Sequence, residues 1–235
     1  MKKINFGKYV YLYILLSFIF SLFFIIIRIH FAPAEILPGI VMQNIKSDYY
    51  LMLLQCLLGL SIFFLPSIIE KKFNIKIPNK LNLVYVIFLY CAIVLGEVRN
   101  FYFQFEHWDS VLHVFSGGML GSIGLSIVSL LNDSDKTEIH LTNKFVCIFA
   151  FCFAVTLGVF WEFYEFSIDY LLGMNMQKFM LEDGTLLVGQ AALMDTMKDL
   201  FIDTVGAFVV TFSAFFIMKY DEYWLSSKQL LKKEL

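Results

Sequence analysis

The stretch of sequence that decides the fold is Phe145–Phe166, which reads FVCIFAFCFAVTLGVFWEFYEF. Its first 17 residues carry no charge, and Glu162 and Glu165 follow within the last five. A bilayer core about 30 Å thick requires about 20 apolar residues of helix. The stretch therefore predicts a transmembrane helix that ends in acidic residues.

Five further segments have the length and apolar character of membrane spans. The six predicted spans lie near residues 9–29, 50–69, 81–98, 110–131, 145–166 and 200–218. The first is longer than the roughly 7–15 apolar residues of a signal peptide core, so we expect an uncleaved helix. The sequence predicts an all-α, polytopic membrane protein with six transmembrane helices, which form a single integral membrane domain over residues 1–235.

The composition agrees with this fold class. Of 235 residues, 59% are hydrophobic and only 16% are charged, whereas soluble domains carry about 25% charged residues. The net charge of -2 excludes the dense basic surface of a nucleic-acid-binding protein. The four cysteines lie in apolar stretches without the paired spacing of zinc or redox motifs. We therefore expect membrane lipids as partners and no nucleic acid.

The basic residues predict the orientation of the spans. Thirteen of the 18 Lys and Arg residues fall in the N-terminal segment, the second and fourth connections and the C-terminal tail. Because cytoplasmic loops carry the excess of basic residues, both termini are predicted to be cytoplasmic, in a bacterial plasma membrane. Thirteen of the 20 acidic residues fall on the opposite, outer side. This leaves a net charge of +6 inside and -8 outside.

A polar cluster is predicted at the outer ends of the last four spans. Asp109 and His113 are four residues apart at the start of span four, so they share a helix face. The cluster residues are Glu97, Arg99, Asp109, His113, Glu162, Glu165, Asp169, Asp195, Asp199 and Asp203. Ionisable residues inside spans usually face the interior of a helix bundle or a water-filled cavity. The sequence therefore predicts a polar pocket that opens to the outer side.

Two other features surround this predicted pocket. Small residues, which allow helices to approach closely in lipid, recur along spans four and six at Gly117, Gly121, Gly124, Gly206 and Ala207. The segment 170–194 is apolar but is interrupted by glycines and by the Asp183-Gly184 turn signal. It is interpreted as an interfacial segment over the pocket or, alternatively, as an exposed loop without a role.

The residue types suggest metal chemistry. One imidazole with several carboxylates suits a divalent cation, and the candidate metal ligands are Asp109, His113, Glu162, Asp195 and Asp199. The candidate catalytic residues are Asp109, His113, Glu162 and Asp199. Without a metal, a histidine beside carboxylates can relay protons in a transporter. A purely structural alternative is that the acids are solvated helix ends, with Asp109 and Asp195 as helix caps.

The order of these residues resembles a known family. Asp109-xxx-His113 with Gly117-Gly118, then Trp161-Glu162, then Asp195-Thr196-xx-Asp199-Leu200 with Gly206-Ala207, is similar to the uncharacterised YjdF-like bacterial inner-membrane proteins. Their layout is similar to that of VanZ-like membrane proteins, some of which are associated with glycopeptide resistance. The resemblance covers residues 97–210 and implies the same five candidate ligands and a cell-envelope setting, but no reaction.

Three functions are consistent with these observations. The leading hypothesis is a metal-dependent membrane enzyme that acts on envelope lipid or a lipid-linked substrate. The alternatives are a small transporter that binds protons or cations and a non-catalytic envelope resistance factor.

Overall fold

The computed structural model describes residues 6–34, 44–73, 77, 79–132, 141–181 and 184–220. The helices are α1 (Phe6–Phe31), α2 (Lys46–Phe63), α3 (Leu65–Phe73), α4 (Asn79–Leu89), α5 (Phe101–Gln104), α6 (Trp108–Asn132), α7 (Asn143–Leu172) and α8 (Gln190–Tyr220). A π-helical segment, Tyr90–Val98, continues α4. Within the described ranges the extended structure is limited to an isolated bridge between Met180 and Leu186. The predicted all-α class is confirmed.

Six helical stretches are long and apolar enough to cross a membrane, as predicted. They are Gly7–Phe31, Lys46–Lys72, Asn79–Val98, Trp108–Val128, Asn143–Leu172 and Gln190–Met218. The chain divides into two compact units between Asp109 and Ser110. The prediction of one integral membrane domain stays a prediction.

The first unit contains α1 to α5, and its second span is interrupted at a proline. Pro66 has no backbone N–H, so it cannot donate to the carbonyl oxygen of Ile62 four residues earlier. The backbone N–H of Phe64 and the Tyr85 hydroxyl from α4 donate to that oxygen instead, the hydroxyl at 2.7 Å. A tertiary hydrogen bond thus helps to satisfy a backbone group that would be costly to leave unpaired in lipid.

The second unit packs α6, α7 and α8 together through small residues, as the sequence predicts. A Cβ atom added at Gly117 would overlap the carbonyl oxygen of Asp203, and one at Gly206 would overlap that of Val114. Two turns further along α6, a Cβ atom at Gly124 would come within 2.9 Å of Ala150 Cα of α7. The glycines therefore allow both helices to approach the backbone of α6.

The ends of the last two spans differ from the prediction. Span five continues to Leu172 and α8 begins at Gln190, so the connection is residues 173–189 and the predicted 170–194 is too long. The helix begins early because Ala191, Ala192 and Leu193 are strong helix formers. Their helix propensity outweighs the polar character of the residues that follow them. Asp183 of the predicted turn lies outside the described residues, while Gly184 has a positive φ of 85°.

These helix ends change the interpretation of two acids. Asp195 lies in the second turn of α8, so the alternative that it caps this helix is wrong. Asp109 lies in the first turn of α6 rather than at its cap, where a carboxylate still interacts favourably with the helix dipole.

Candidate functional site

The candidate site is built around His113, a buried residue of α6 that is 8% exposed. Its Nδ1 lies 3.2 Å from Asp203 Oδ2, and its Nε2 lies 3.7 Å from Asp199 Oδ2. Asp199 and Asp203 are four residues apart in α8, so they present their carboxylates on one helix face. The imidazole is therefore held with a carboxylate at each ring nitrogen.

The side chain of Asp203 is fixed in turn by its own neighbours. Ser116 Oγ donates to Asp203 Oδ1 at 2.6 Å, and Asp203 is only 4% exposed. A Cβ atom at Gly158 of α7 would lie 3.1 Å from Asp203 Oδ2. The absence of side chains at Gly117 and Gly158 thus lets Asp203 sit between α6 and α7 and bond to His113.

Three residues of the site have the spacing of metal ligands. Asp109, His113 and Asp199 each offer one ligand atom, and these atoms lie within 4.8 Å of one another. Asp109 is one turn before His113 in the same helix. Ligands about 2.1 Å from a tetrahedral ion lie about 3.4 Å apart, so small side-chain rotations would bring the three atoms to coordination distance.

Glu162 of α7 lies beside this trio but is not part of it. Its side chain is 4% exposed, and neither carboxylate oxygen makes a well-formed hydrogen bond with the described residues. The side chains of Thr196 and Gln177 approach it as hydrogen-bond donors, and His113 interacts with it electrostatically. Burial of a carboxylate is costly where its hydrogen bonds are poorly formed, and the role of Glu162 stays a prediction.

The connection between α7 and α8 is attached to the start of α8. Asp169 accepts hydrogen bonds from the backbone N–H groups of Met176 and Gln177, at 2.7 and 2.9 Å. Gln177 Nε2 donates to Thr196 Oγ1 at 2.8 Å. These bonds hold the beginning of the connection next to the residues that surround Glu162.

Asp195 and Glu165 have different surroundings from the trio. Lys178 Nζ lies 3.1 Å from Asp195 Oδ1 and forms an ion pair with it. Trp161 Nε1 donates to Glu165 Oε1 at 2.9 Å. Of the five predicted metal ligands, the structure brings Asp109, His113 and Asp199 within 4.8 Å of one another. The metal-binding and catalytic roles of all five stay predictions.

The site also contains residues that the sequence did not single out. Ser116 is three residues after His113 and therefore on a neighbouring part of the same helix face, but a serine in a span is too common to signal a role. Gln177 and Lys178 belong to the connection between α7 and α8, whose path follows only from the tertiary structure.

Comparison with known proteins identifies the family. The chain is 27% identical to an uncharacterised protein of Thermotoga maritima over 148 residues, which are 63% of this chain and 68% of the relative. No solved structure matches the chain. The family described as "Predicted membrane protein (DUF2238)" matches residues 10–220, which include every residue of the candidate site. This confirms the expected membership of an uncharacterised membrane-protein family. The chain belongs to the DUF2238 family of predicted membrane proteins.

Proposed function

We propose that this multi-pass membrane protein is a divalent-metal-dependent enzyme that acts on an envelope lipid or a lipid-linked substrate. The observation that carries the proposal is the spacing of Asp109, His113 and Asp199, whose ligand atoms lie within 4.8 Å of one another. One imidazole and two carboxylates form a ligand set that suits Zn²⁺ or Mn²⁺. Three protein ligands also leave a coordination position for water or substrate, as in catalytic zinc sites.

The carboxylate behind His113 supports the same proposal. Histidine ligands of metals almost always donate their second ring N–H to a carboxylate or a carbonyl oxygen, which fixes the tautomer. Asp203 Oδ2 lies 3.2 Å from His113 Nδ1 and can accept this N–H. The other ring nitrogen, Nε2, then faces the carboxylate of Asp199. Asp203 would therefore act as a positioning residue for a metal ligand rather than as a ligand.

The chemistry follows from what lies next to the trio. A bound divalent ion would lower the pKa of a coordinated water and polarise a phosphoryl or acyl oxygen. Glu162, buried next to His113, would accept the proton released from that water. Because the trio lies on membrane-spanning helices, a substrate with a lipid tail would reach it from the bilayer. The distribution of basic residues supports an orientation in which this end of the last three spans faces outward from a bacterial plasma membrane.

A second function is favoured by Glu162 alone. A buried carboxylate inside a span, with no well-formed hydrogen bond to the described residues, suits a site that takes up and releases a proton or cation. In that case the protein would be a small transporter. Two results together would favour this function. Proton or cation flux into proteoliposomes would be lost in Glu162→Gln, and the purified wild-type protein would bind no metal.

Metal analysis tests the leading proposal directly. The detergent-purified protein would be supplied with Zn²⁺, Mn²⁺, Mg²⁺ or Ca²⁺, passed over a desalting column and analysed for bound metal. We expect stoichiometric metal in the wild type and its loss in Asp109→Asn, His113→Ala and Asp199→Asn. Glu165→Gln is the matched control, because it removes a buried acidic charge near the site but outside the trio. A wild-type protein without stoichiometric metal under every supply would refute the proposal.

The reaction class requires a separate test. Membrane lipids from cells that express the wild type or Asp199→Asn would be compared by mass spectrometry. An enzyme of the proposed class should change the abundance of a phosphate-bearing or acylated lipid only in the wild-type cells. Identical lipid profiles would refute the proposed action on lipid. If the trio still binds metal, the protein is a metal-binding protein without this activity.

A further inference from the structure

The first unit contains a separate polar contact within its spans. Gln55 lies on α2, and Glu97 lies in the π-helical segment that continues α4. Gln55 Nε2 donates a hydrogen bond to Glu97 Oε1 at 2.9 Å. Ionisable residues within membrane spans mark functional sites by default, and this pair is independent of the trio proposed above.

The amide oxygen of Gln55 is an unsatisfied hydrogen-bond acceptor among the described residues. Gln55 is 7% exposed, and its Oε1 is buried without a hydrogen-bond partner among the described residues. An ionised carboxylate only accepts hydrogen bonds, so the amide must turn its nitrogen toward Glu97, which leaves the oxygen unsatisfied. A buried acceptor of this kind is costly unless something binds it.

The backbone at Glu97 adds further oxygen atoms. The N–H of Arg99 donates to Val94 O and that of Asn100 donates to Glu97 O, each at 3.1 Å. Neither of these bonds uses the carbonyl oxygens of Leu95 and Gly96. The π-helical segment, a geometry that often occurs at functional sites, therefore ends in carbonyl groups within the same turn as Glu97. A helix C-terminus carries partial negative charge, so this position favours a cation.

We propose that Glu97, Gln55 Oε1 and the carbonyl groups at the end of the π-helical segment bind a monovalent cation, with Na⁺ as the ion. The single carboxylate of the pair matches the single charge of a monovalent cation. A divalent cation would normally need six or more oxygen ligands and more than one carboxylate. Carbonyl groups of irregular helices bind Na⁺ in the same way in membrane transporters. The apolar neighbours Met52 and Val98, both buried, limit replacement of the ion by water.

Thermal unfolding of the full-length protein in detergent tests this site. The midpoint would be measured in NaCl and in choline chloride at equal ionic strength, with a chelator present to remove divalent ions. At ten times the dissociation constant, Na⁺ should raise the midpoint by about 3–5 °C. Gln55→Met, which removes the oxygen but retains the shape, and Glu97→Gln should both lose this response.

Two controls make the result decisive. Asp199→Asn should keep the full Na⁺ response, because it lies in the proposed divalent-metal trio and not in this site. If Glu97→Gln does not fold, equilibrium binding of radioactive Na⁺ is compared between the wild type and Gln55→Met. Equal midpoints in NaCl and choline chloride, or a response retained in Gln55→Met, would overturn the proposal without affecting the trio.

Discussion

The substitution Asp203→Asn tests whether His113 is held as a metal ligand. Asp203 Oδ2 lies 3.2 Å from His113 Nδ1, and its Oδ1 accepts from Ser116 Oγ at 2.6 Å. An asparagine can present its amide N–H to Nδ1, which would move the ring proton to Nε2, the atom that faces Asp199. If it presents its oxygen instead, the tautomer is kept but the negative charge that raises the basicity of the ring is lost.

Both orientations of the new side chain weaken a metal ligand without removing it. Loss of a hydrogen-bonding partner behind a metal ligand typically lowers metal affinity about 10- to 100-fold, which corresponds to about 1.4–2.7 kcal/mol. We therefore expect Asp203→Asn to raise the dissociation constant for the metal by that factor. Ser116→Ala should have a smaller effect, because it removes only a hydrogen bond to Asp203.

Isothermal titration calorimetry of the metal into detergent-purified protein would measure these constants. The matched control is Asp195→Asn, since Asp195 is on the same helix but is paired with Lys178. The thermal midpoint of each metal-free variant would show that the fold is retained. An unchanged dissociation constant in Asp203→Asn, or an equal loss in Asp195→Asn, would refute the assignment of Asp203 as the positioning residue.

Three further predictions concern the helix packing and the connection. Gly117→Ala should destabilise the fold by about 1–3 kcal/mol, because its Cβ atom would overlap a carbonyl oxygen of α8. Gly121→Ala should cost less, since its nearest contact would be an ordinary 3.4 Å; equal costs would contradict the proposed helix crossing. Tyr85→Phe should cost about 1 kcal/mol, and a double-mutant cycle with Pro66→Ala should abolish this cost by restoring a backbone donor. Asp169→Ala should raise hydrogen exchange at the two amides that it binds, and unchanged exchange would show that other contacts hold the connection.

The sequence predicts the spans well because their signal is local. Each span is a run of about 20 apolar residues, and the thickness of the bilayer sets that number independently of the rest of the fold. The end of span five and the start of α8 were predicted less well. Polar residues such as Asp195 marked the predicted boundary, whereas the strong helix formers before it extend the helix to Gln190. Hydropathy therefore predicts the part of a helix that lies in lipid, whereas helix propensity determines where the helix itself begins and ends.

The composition of the site could be predicted, but its internal geometry could not. The spacing of Asp199 and Asp203 in the sequence shows that they share a helix face, and both approach His113. The axial register of α8 against α6 determines which of them bonds to Nδ1 and which faces Nε2. That register is set by the glycine contacts between the two helices, such as Gly117 against the backbone of α8. A sequence shows the glycines but not the partner that each one meets.

The charges around His113 give an independent reason to expect a cation at the candidate site. Asp199, Asp203 and Glu162 are each at most 4% exposed, and they approach one imidazole from two helices. Like charges that share a buried site raise one another's energy, and the cost grows where water is excluded. Protonation of one or more acids would relieve this repulsion, and so would a divalent ion bound by the trio. Thermal unfolding distinguishes a bound metal from protonation. A metal should raise the unfolding midpoint at constant pH, whereas with protonation alone the midpoint should not respond to metal or to chelator.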